Sequence, residues 1–541
     1  MPEKWEDIAA LKRNLLLASI PPDWFLPDAI KPPDSQLNVT RFPAESRFFT
    51  SRELELTSLG AASLLEKLAS GAWSAVEVAE AYCKRAAVAH QLTNCLSETL
   101  FDTARSTAAA LDEHLRTTGR PKGPLHGLPI SLKDNFNIMG VDSTVGFVSW
   151  VNQPATYDST LVQLLRNAGA VFYVKTNVPT AMMIAETVNN VFGRTLNPLN
   201  RALTSGGSSG GESALIAFGG SALGVGTDIG GSLRIPAACT GIFTLRPSFG
   251  RFPTLGAKSG LAGQEAVQSV NGPMARSLED LVLFSKTVVE ARPWLADPRC
   301  LPIPWREVSL GRKLKLAVMW HDGVVMPTPP VRRALRETVE QLQAAGHEVV
   351  EWRAEGHERI AEILGRFFVA DGGKTVKSIL DPVGEPWRPE MAYYKAASEM
   401  GVAELWKLQA ERTELCKAYL DRWNGVAGLD GILCPTTPYA SVAHQDFKYV
   451  GYTGVFNVLD YTALSFPSGV TAHRELDRAA AEAHAPLSDV CAEISGSYNE
   501  EAVHDMPVNL QLVGRRLEEE KVLQMADIIL KDLGMHAPSR T

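Results

Sequence analysis

The chain shows two different patterns of apolar and polar positions, one in its first third and another from about residue 126. In the first third, apolar residues recur every three to four positions, which predicts amphipathic helices. One predicted helix runs from Leu59 to Gly71. The next begins at the capping box Ser74–Glu77, in which the serine and glutamate side chains satisfy free backbone N–H groups. The N-terminal part of the chain is therefore predicted to be helical.

From about residue 126 the pattern changes to short apolar runs between glycine-rich turns. These runs predict buried strands at 128–132, 171–174, 222–225, 348–352, 431–434 and 508–513. Helical patterns fall between them at 158–168, 330–345 and 517–530. The alternation predicts an α/β core with helices on both faces of a sheet. Residues 472–501, rich in Ala, Glu and Ser, are interpreted as a helical or loop insertion on the surface.

Composition narrows the classes of protein. Of 541 residues, 45% are hydrophobic and 21% charged, so the chain can bury a core and is not mainly disordered. The formal net charge of -8 disfavours non-specific nucleic-acid binding, which depends on clustered Lys and Arg. Seven scattered cysteines without a C-x-x-C pair indicate reduced thiols. With neither a signal peptide nor an apolar run of about 18 residues, a cytoplasmic protein without membrane spans is expected.

Two glycine-rich stretches, 205–214 and 224–236, are the least ordinary segments. No lysine follows as in a Walker loop, and the glycine spacing differs from a dinucleotide-binding loop. Serines embedded in glycine favour an exposed hydroxyl nucleophile surrounded by backbone N–H groups. Residues 206–210 match the letters of a G-x-S-x-G nucleophile elbow, but 199–204 does not resemble the strand that such an elbow requires. Ordinary turns remain the plain alternative.

A serine nucleophile needs a base, and no histidine is an obvious candidate. His347 and His357 open no H-E-x-x-H motif, and His126 is interpreted as a turn or core residue. A buried lysine can serve instead, because desolvation lowers its pKa towards neutrality. Lys133 follows the predicted strand 128–132 and is the candidate base, although a lysine at a strand end is commonly a surface residue.

The chain resembles the amidase signature hydrolases, most closely their fungal acetamidase and general amidase branch and more distantly fatty acid amide hydrolase. The resembling segments are residues 127–139, 174–184, 190–198, 206–243, 430–438 and 507–523. The resemblance implies an α/β amidase signature fold, with a large central mixed β-sheet covered by helices on both faces. It also implies one domain over 1–541, made of a helical extension at 1–55 and a core at 55–530.

The same resemblance assigns roles to three residues. Ser232 corresponds to the acyl-forming nucleophile, Ser208 to the bridging serine and Lys133 to the general base. The Gly207–Ser208 peptide bond is expected to be cis. The oxyanion hole is expected to comprise the N–H groups of Ile229, Gly230, Gly231 and Ser232, and no metal or cofactor is implied.

Further positions near these residues are expected to support them. Met182 corresponds to a position that lines the pocket in the fatty acid amide branch, or is simply core. Asp228 is expected to accept backbone N–H bonds, Arg234 to pair with a carboxylate, and Ser209 to tune the bridging serine. Four aromatic residues between 370 and 420 are expected to line or cover the cleft, or to belong to the core: Trp387, Tyr393, Tyr394 and Trp406.

The predicted function is hydrolysis of small aliphatic or aromatic carboxamides to an acid and ammonia or an amine. Two alternatives stay open: an amidotransferase-type subunit that acts with a partner, and an amide-binding protein without turnover. A small-molecule amide is the expected partner, with no nucleic acid or membrane, and a homodimer is a family-level expectation.

Overall fold

A computed structural model describes residues 4–311, 313–479 and 485–535. Its helices, numbered along the chain, are α1 (Trp5–Ala18), α2 (Phe42–Glu45), α3 (Ser51–Ser58), α4 (Ala61–Ala69), α5 (Ala75–Thr93), α6 (Phe101–Thr118), α7 (Thr160–Asn167), α8 (Gly210–Ala217), α9 (Arg234–Thr240), α10 (Leu278–Glu290), α11 (Pro329–Ala344), α12 (His357–Phe368), α13 (Lys374–Leu380), α14 (Ala392–Lys395), α15 (Val402–Gly425), α16 (Gly451–Val458), α17 (Asp489–Ser497) and α18 (Glu519–Asp532). Within these described ranges, none of them is long and apolar enough to cross a membrane.

The strands are β1 (Leu96–Thr99), β2 (Pro129–Lys133), β3 (Val171–Thr176), β4 (Val188–Asn189), β5 (Gly193–Arg194), β6 (Leu196–Asn197), β7 (Asn200–Thr204), β8 (Leu223–Asp228), β9 (Phe243–Arg246), β10 (Val270–Ala275), β11 (Lys315–Val318), β12 (Glu348–Glu351), β13 (Gly431–Pro435), β14 (Ala463–Thr471) and β15 (Pro507–Val513). All six strands expected from the apolar runs are present, and no bound differs from its predicted position by more than three residues.

Eleven of these strands form one mixed sheet, in the order β1-β3-β2-β8-β10-β9-β14-β15-β13-β11-β12. Strand β2 runs parallel to both β3 and β8, and β11 runs parallel to β12 and β13. The other neighbours in the sheet are antiparallel. Helices flank this sheet, which confirms the α/β class and the mixed central sheet.

Buried strands hold the centre of the sheet. Every residue of β2, β3, β8 and β10 is buried, which explains their continuous apolar or glycine-rich runs. Apolar side chains from α5, α10 and α18 pack in the same cluster as these strands. The polar residues at the ends of β2 and β8 therefore lie inside the core.

One expectation about local structure is wrong. Residues 199–204 do contain a strand, β7, which pairs with β6 in a small separate sheet and bridges Ala443 through Leu203. Its polar residues hid the strand from the apolar pattern, because pairing with β6 and burial of Leu203 and Thr204 stabilise it instead. In the insertion predicted at 472–501, α17 lies between surface loops, and residues 480–484 are outside the described ranges.

Candidate active site

Two charged residues end neighbouring parallel strands at one edge of the sheet. Lys133 is the last residue of β2 and Asp228 the last residue of β8. Because β2 and β8 run in the same direction, their carboxyl ends meet at this edge. The two glycine-rich loops enter at the same place, since α8 begins at Gly210 and α9 at Arg234.

Lys133 is fully buried and contacts hydroxyl groups. Its Nζ lies 2.7 Å from Ser208 Oγ and 2.7 Å from Thr227 Oγ1. Burial lowers the pKa of Lys133 to about 7, although the charges of Asp228, Glu212 and Asp134 act to raise it. At neutral pH the amine is therefore uncharged in a large fraction of molecules and able to accept a proton.

The two loops bring the predicted serines together. The Gly207–Ser208 peptide bond is cis, as the resemblance implied. The backbone N–H of Ser209 donates to the carbonyl oxygen of Ser232 at 3.2 Å, which joins the loop before α8 to the loop before α9. Ser208 is buried, whereas Ser232 is only partly buried and so remains accessible. No hydrogen bond between their hydroxyls is found within the described ranges.

Asp228 holds the turn before α9. Its carboxylate accepts the N–H of Gly231 at 2.8 Å and that of Leu233 at 3.2 Å, and it pairs with Arg234 at 3.1 Å. Asn457 Nδ2 also donates to it at 2.8 Å, and Arg234 donates to Asn457 Oδ1 at 2.7 Å. Burial alone would raise the pKa of Asp228, but these partners lower it to about 2, so the carboxylate stays ionised.

The expected oxyanion hole needs one correction. The N–H of Gly231 is already donated to Asp228, so it does not point to a substrate oxygen. In the part of the chain that the structure describes, no acceptor is found for the N–H groups of Ile229, Gly230 and Ser232. Three of the four expected donors are therefore free to meet a ligand at this turn.

An apolar wall stands beside Gly230. A Cβ on Gly230 would lie 3.3 Å from the ring of Phe368, at the end of α12. Phe368 packs in one cluster with Met182, which is partly buried, and with Phe147. Met182 also adopts a left-handed backbone with φ 58°. Met182 thus belongs to the apolar cluster that reaches the glycine turn through Phe368.

The four aromatic residues predicted to lie at the cleft or in the core divide into two groups. Trp387 and Tyr394 pack in the same cluster as Met182. Tyr393 and Trp406 are exposed, at 57% and 66% of their surface. The core alternative is therefore wrong for this second pair.

Several neighbours of the site were missed from the sequence. Thr227 and Glu212 lie inside the glycine-rich segments, where their polar side chains in a buried run were an available signal. Asn457 and Phe368 come from distant segments, and no local pattern marks them.

Ser209, which was expected to tune the bridging serine, binds the backbone: its Oγ lies 3.3 Å from the carbonyl oxygen of Thr227. His126 is buried in a turn, and all seven cysteines are free.

Comparison with known proteins gives consistent matches. The family model described as Amidase matches residues 77–523. The acetamidase of Emericella nidulans is 41% identical over 99% of this chain and 99% of its own length, and the acetamidase of Aspergillus oryzae is 40% identical over 98% and 99%. Among solved structures, a fatty acid amide hydrolase is 34% identical, with a TM-score of 0.94 over 98% of this chain and 95% of its own.

Proposed function

The chain belongs to the amidase signature family of amide-hydrolysing enzymes, and we propose that it hydrolyses small carboxamides through Lys133, Ser208 and Ser232. The observation that carries this proposal is the setting of Lys133. A fully buried lysine whose Nζ meets two hydroxyls, and no carboxylate of the described residues, is suited to accept a proton.

The proposed reaction begins with a relay of two protons. Neutral Lys133 takes the proton of Ser208, which takes the proton of Ser232 as its oxygen attacks the amide carbonyl. We expect the link between the serines to form when a substrate orients the Ser232 hydroxyl, because catalytic hydrogen bonds often tighten only in that complex. The relay then returns the proton to the leaving nitrogen, and the C–N bond breaks to give an acyl-enzyme.

Charge on the tetrahedral oxygen is stabilised by backbone. The N–H groups of Ile229, Gly230 and Ser232 are the proposed donors, and loss of one such donor typically costs about 3 kcal/mol. Water then attacks the acyl-enzyme and donates its proton to the relay, which restores Ser232 and releases the carboxylic acid. The turn that carries these donors is held by Asp228 and Arg234, which act on structure and do not react.

The proposed substrates are small aliphatic or aromatic amides. Support comes from the acetamidases, which match this chain over nearly their whole length. The ring of Phe368, which adjoins Gly230, and the partly buried Met182 of the same cluster suit an uncharged acyl group beside the glycine turn. A series of primary amides of increasing acyl length tests this assignment against the long acyl groups that the name of the fatty acid amide hydrolase indicates.

Intact-mass spectrometry after treatment with a serine-directed fluorophosphonate tests the nucleophile. We expect one adduct on the wild type and none on Ser232→Ala, whereas Ser213→Ala, a matched serine that binds the carbonyl oxygen of Ser205, keeps the adduct. Ammonia release from the amide series is measured in parallel. An adduct that persists in Ser232→Ala contradicts the assignment, and a wild type with neither adduct nor ammonia release contradicts independent turnover.

A further inference from the structure

Glu212 is a fully buried carboxylate on α8, four residues after the bridging serine. Thr176 Oγ1 donates to its Oε2 at 2.6 Å, and Ser131 donates to its Oε1. No Lys or Arg forms an ion pair with it within residues 4–311, 313–479 and 485–535. A carboxylate buried without an ion pair is costly, and this one has no part in the reaction described above.

The sheet is shaped to admit this carboxylate. Gly224 on β8 pairs in register with Ser131 on β2, and a Cβ on Gly224 would collide with Glu212 Oε1. Two residues further along, a Cβ on Gly226 would lie 2.7 Å from Ser209 Oγ. The alternate glycines of β8 therefore make room for polar side chains of the loop and helix that carry Ser208.

Glu212 and Lys133 lie on the same side of β2. Ser131 and Lys133 are two positions apart on this strand, so their side chains point to the same face. Thr176, the other partner of Glu212, is the register partner of Lys133 on β3. Both hydroxyls that bind the carboxylate thus belong to the immediate surroundings of the lysine.

The other ionisable groups around the pair are ion-paired, hydrogen-bonded or neutral. Asp228 faces Lys133 from β8 and is paired with Arg234. Asp134, next along the chain, accepts from Ser97 Oγ and from the N–H of Val145. Near Glu212, burial raises the pKa of Cys95 to about 12 and that of Tyr173 well above its usual value, so both are neutral.

Resting on the proposed role of Lys133 as the base, we propose that Glu212 is a positioning residue that keeps Lys133 basic through the field of its buried carboxylate, without touching the substrate. Burial works against any charge on the lysine, and a carboxylate on the same face opposes that effect. The result is an amine that is neutral at working pH and still a competent base.

The titration of the two groups supports this coupling. Burial raises the pKa of Glu212 to about 7, against the hydrogen bonds from Ser131 and Thr176 and the charge of Lys133. The charge of Glu212 in turn raises the pKa of Lys133, which burial has lowered to about 7. Each charge favours the charged form of the other group, so protonation of Glu212 and protonation of Lys133 are coupled.

The test measures the rate of fluorophosphonate labelling of Ser232 between pH 5 and 9. In Glu212→Gln the amide keeps the shape and loses the charge, so we expect the acid limb, the fall in rate at low pH, to move to lower pH. The shift should be at most about one unit, because the carboxylate of the wild type itself protonates along that limb. Thr176→Val removes one hydrogen bond to the Glu212 carboxylate and so makes its ionised form less favourable. We therefore expect a smaller shift in the same direction. Ser221→Ala, which removes a hydroxyl bound to Ser131 and no charge, is the matched control and keeps the limb in place.

A reduced rate with an unmoved limb in both Glu212→Gln and Thr176→Val overturns the inference, because a purely structural role lowers the rate at every pH alike. Thermal unfolding of each variant identifies any that fails to fold. Lys133→Met separates this failure from that of the proposed function. If Lys133→Met retains the acid limb, the lysine is not the base; if it loses the limb while the Glu212 variants leave it unmoved, only the role of Glu212 is wrong.

Discussion

Lys133 and Asp228 end two neighbouring parallel strands, and both are fully buried. Their surroundings nevertheless favour the ionised form of Asp228 and the neutral form of Lys133. Asp228 receives a guanidinium, an amide and two backbone N–H groups, and its pKa falls to about 2. Lys133 receives hydroxyls, and its pKa falls to about 7. Burial is common to both, so the partners decide which group stays charged.

The difference separates a structural charge from a reactive one. A carboxylate held by many donors is rigid and has a single protonation state over the useful pH range. An amine held by hydroxyls can gain or lose a proton at little cost near neutrality. Strands β2 and β8 therefore place the permanently ionised Asp228 beside Lys133, which can exchange a proton. Substitutions around Asp228 should mainly affect stability, and substitution of Lys133 should mainly affect turnover.

The largest effect is expected from Lys133→Met. Loss of the base should reduce kcat/KM for a small amide by about 10⁴-fold, because general-base catalysis contributes up to about that factor. Unfolding in urea should show no loss of stability. Lys175→Met is the matched control: this buried lysine on β3 binds Ser143 at 2.8 Å and none of the site hydroxyls, so turnover by its folded fraction should persist. Equal losses of turnover in the two variants would contradict the comparison.

Arg234→Met should act on stability. It removes the cation from a buried ion pair and leaves Asp228 uncompensated, which costs about 3–5 kcal/mol of the free energy of unfolding. Urea denaturation measures this loss. Arg116→Ala breaks an exposed pair with Glu113 and should cost less than about 1 kcal/mol. A small loss in Arg234→Met would show that the turn does not depend on this pair.

Stability should also depend on pH through Lys133. Its pKa is near 10.5 in the unfolded chain and about 7 when folded, so between these values the unfolded state binds more protons and folding becomes more favourable as pH rises. The extra stability of Lys133→Met over the wild type should therefore be largest below pH 7 and shrink by about 2 kcal/mol between pH 7 and pH 9. A constant difference across this range would show that the folded pKa is not lowered.

The smallest effect is expected from Ser209→Ala. Its hydroxyl binds the backbone of Thr227 at 3.3 Å and does not contact Lys133 in the described chain. Removal should cost about 1 kcal/mol of stability and reduce kcat/KM by less than about tenfold. Kinetics with one good amide substrate measure this change. A loss as large as that of Lys133→Met would place Ser209 in the proton relay.

Much of this arrangement can be predicted from the sequence. Buried parallel strands have continuous apolar runs, and so β2, β3 and β8 were found near their true positions. Strand β7 was missed because its polar residues are stabilised by a partner strand that local patterns do not reveal. The motifs also placed the serines and the lysine, since these residues lie at the ends of recognisable strands or in the loops before helices.

Contacts between distant segments could not be predicted. Asn457 meets Asp228 across 229 positions of sequence, and Phe368 reaches Gly230 only because α12 packs beside the glycine turn. The N–H of Gly231 was expected to face the substrate, but Asp228 is three residues away along the same turn and accepts it first. Such competition between acceptors depends on geometry that residue types do not specify.

The central claim, that Lys133 is the base and is neutral when it acts, is tested most directly by the pH dependence of single-turnover acylation of Ser232. The account predicts a rate that falls as pH drops below about 7 in the wild type, because protonated Lys133 cannot accept a proton. In Lys133→Met the account predicts a low rate without that limb. A wild-type rate that is flat from pH 5 to 9 would contradict it.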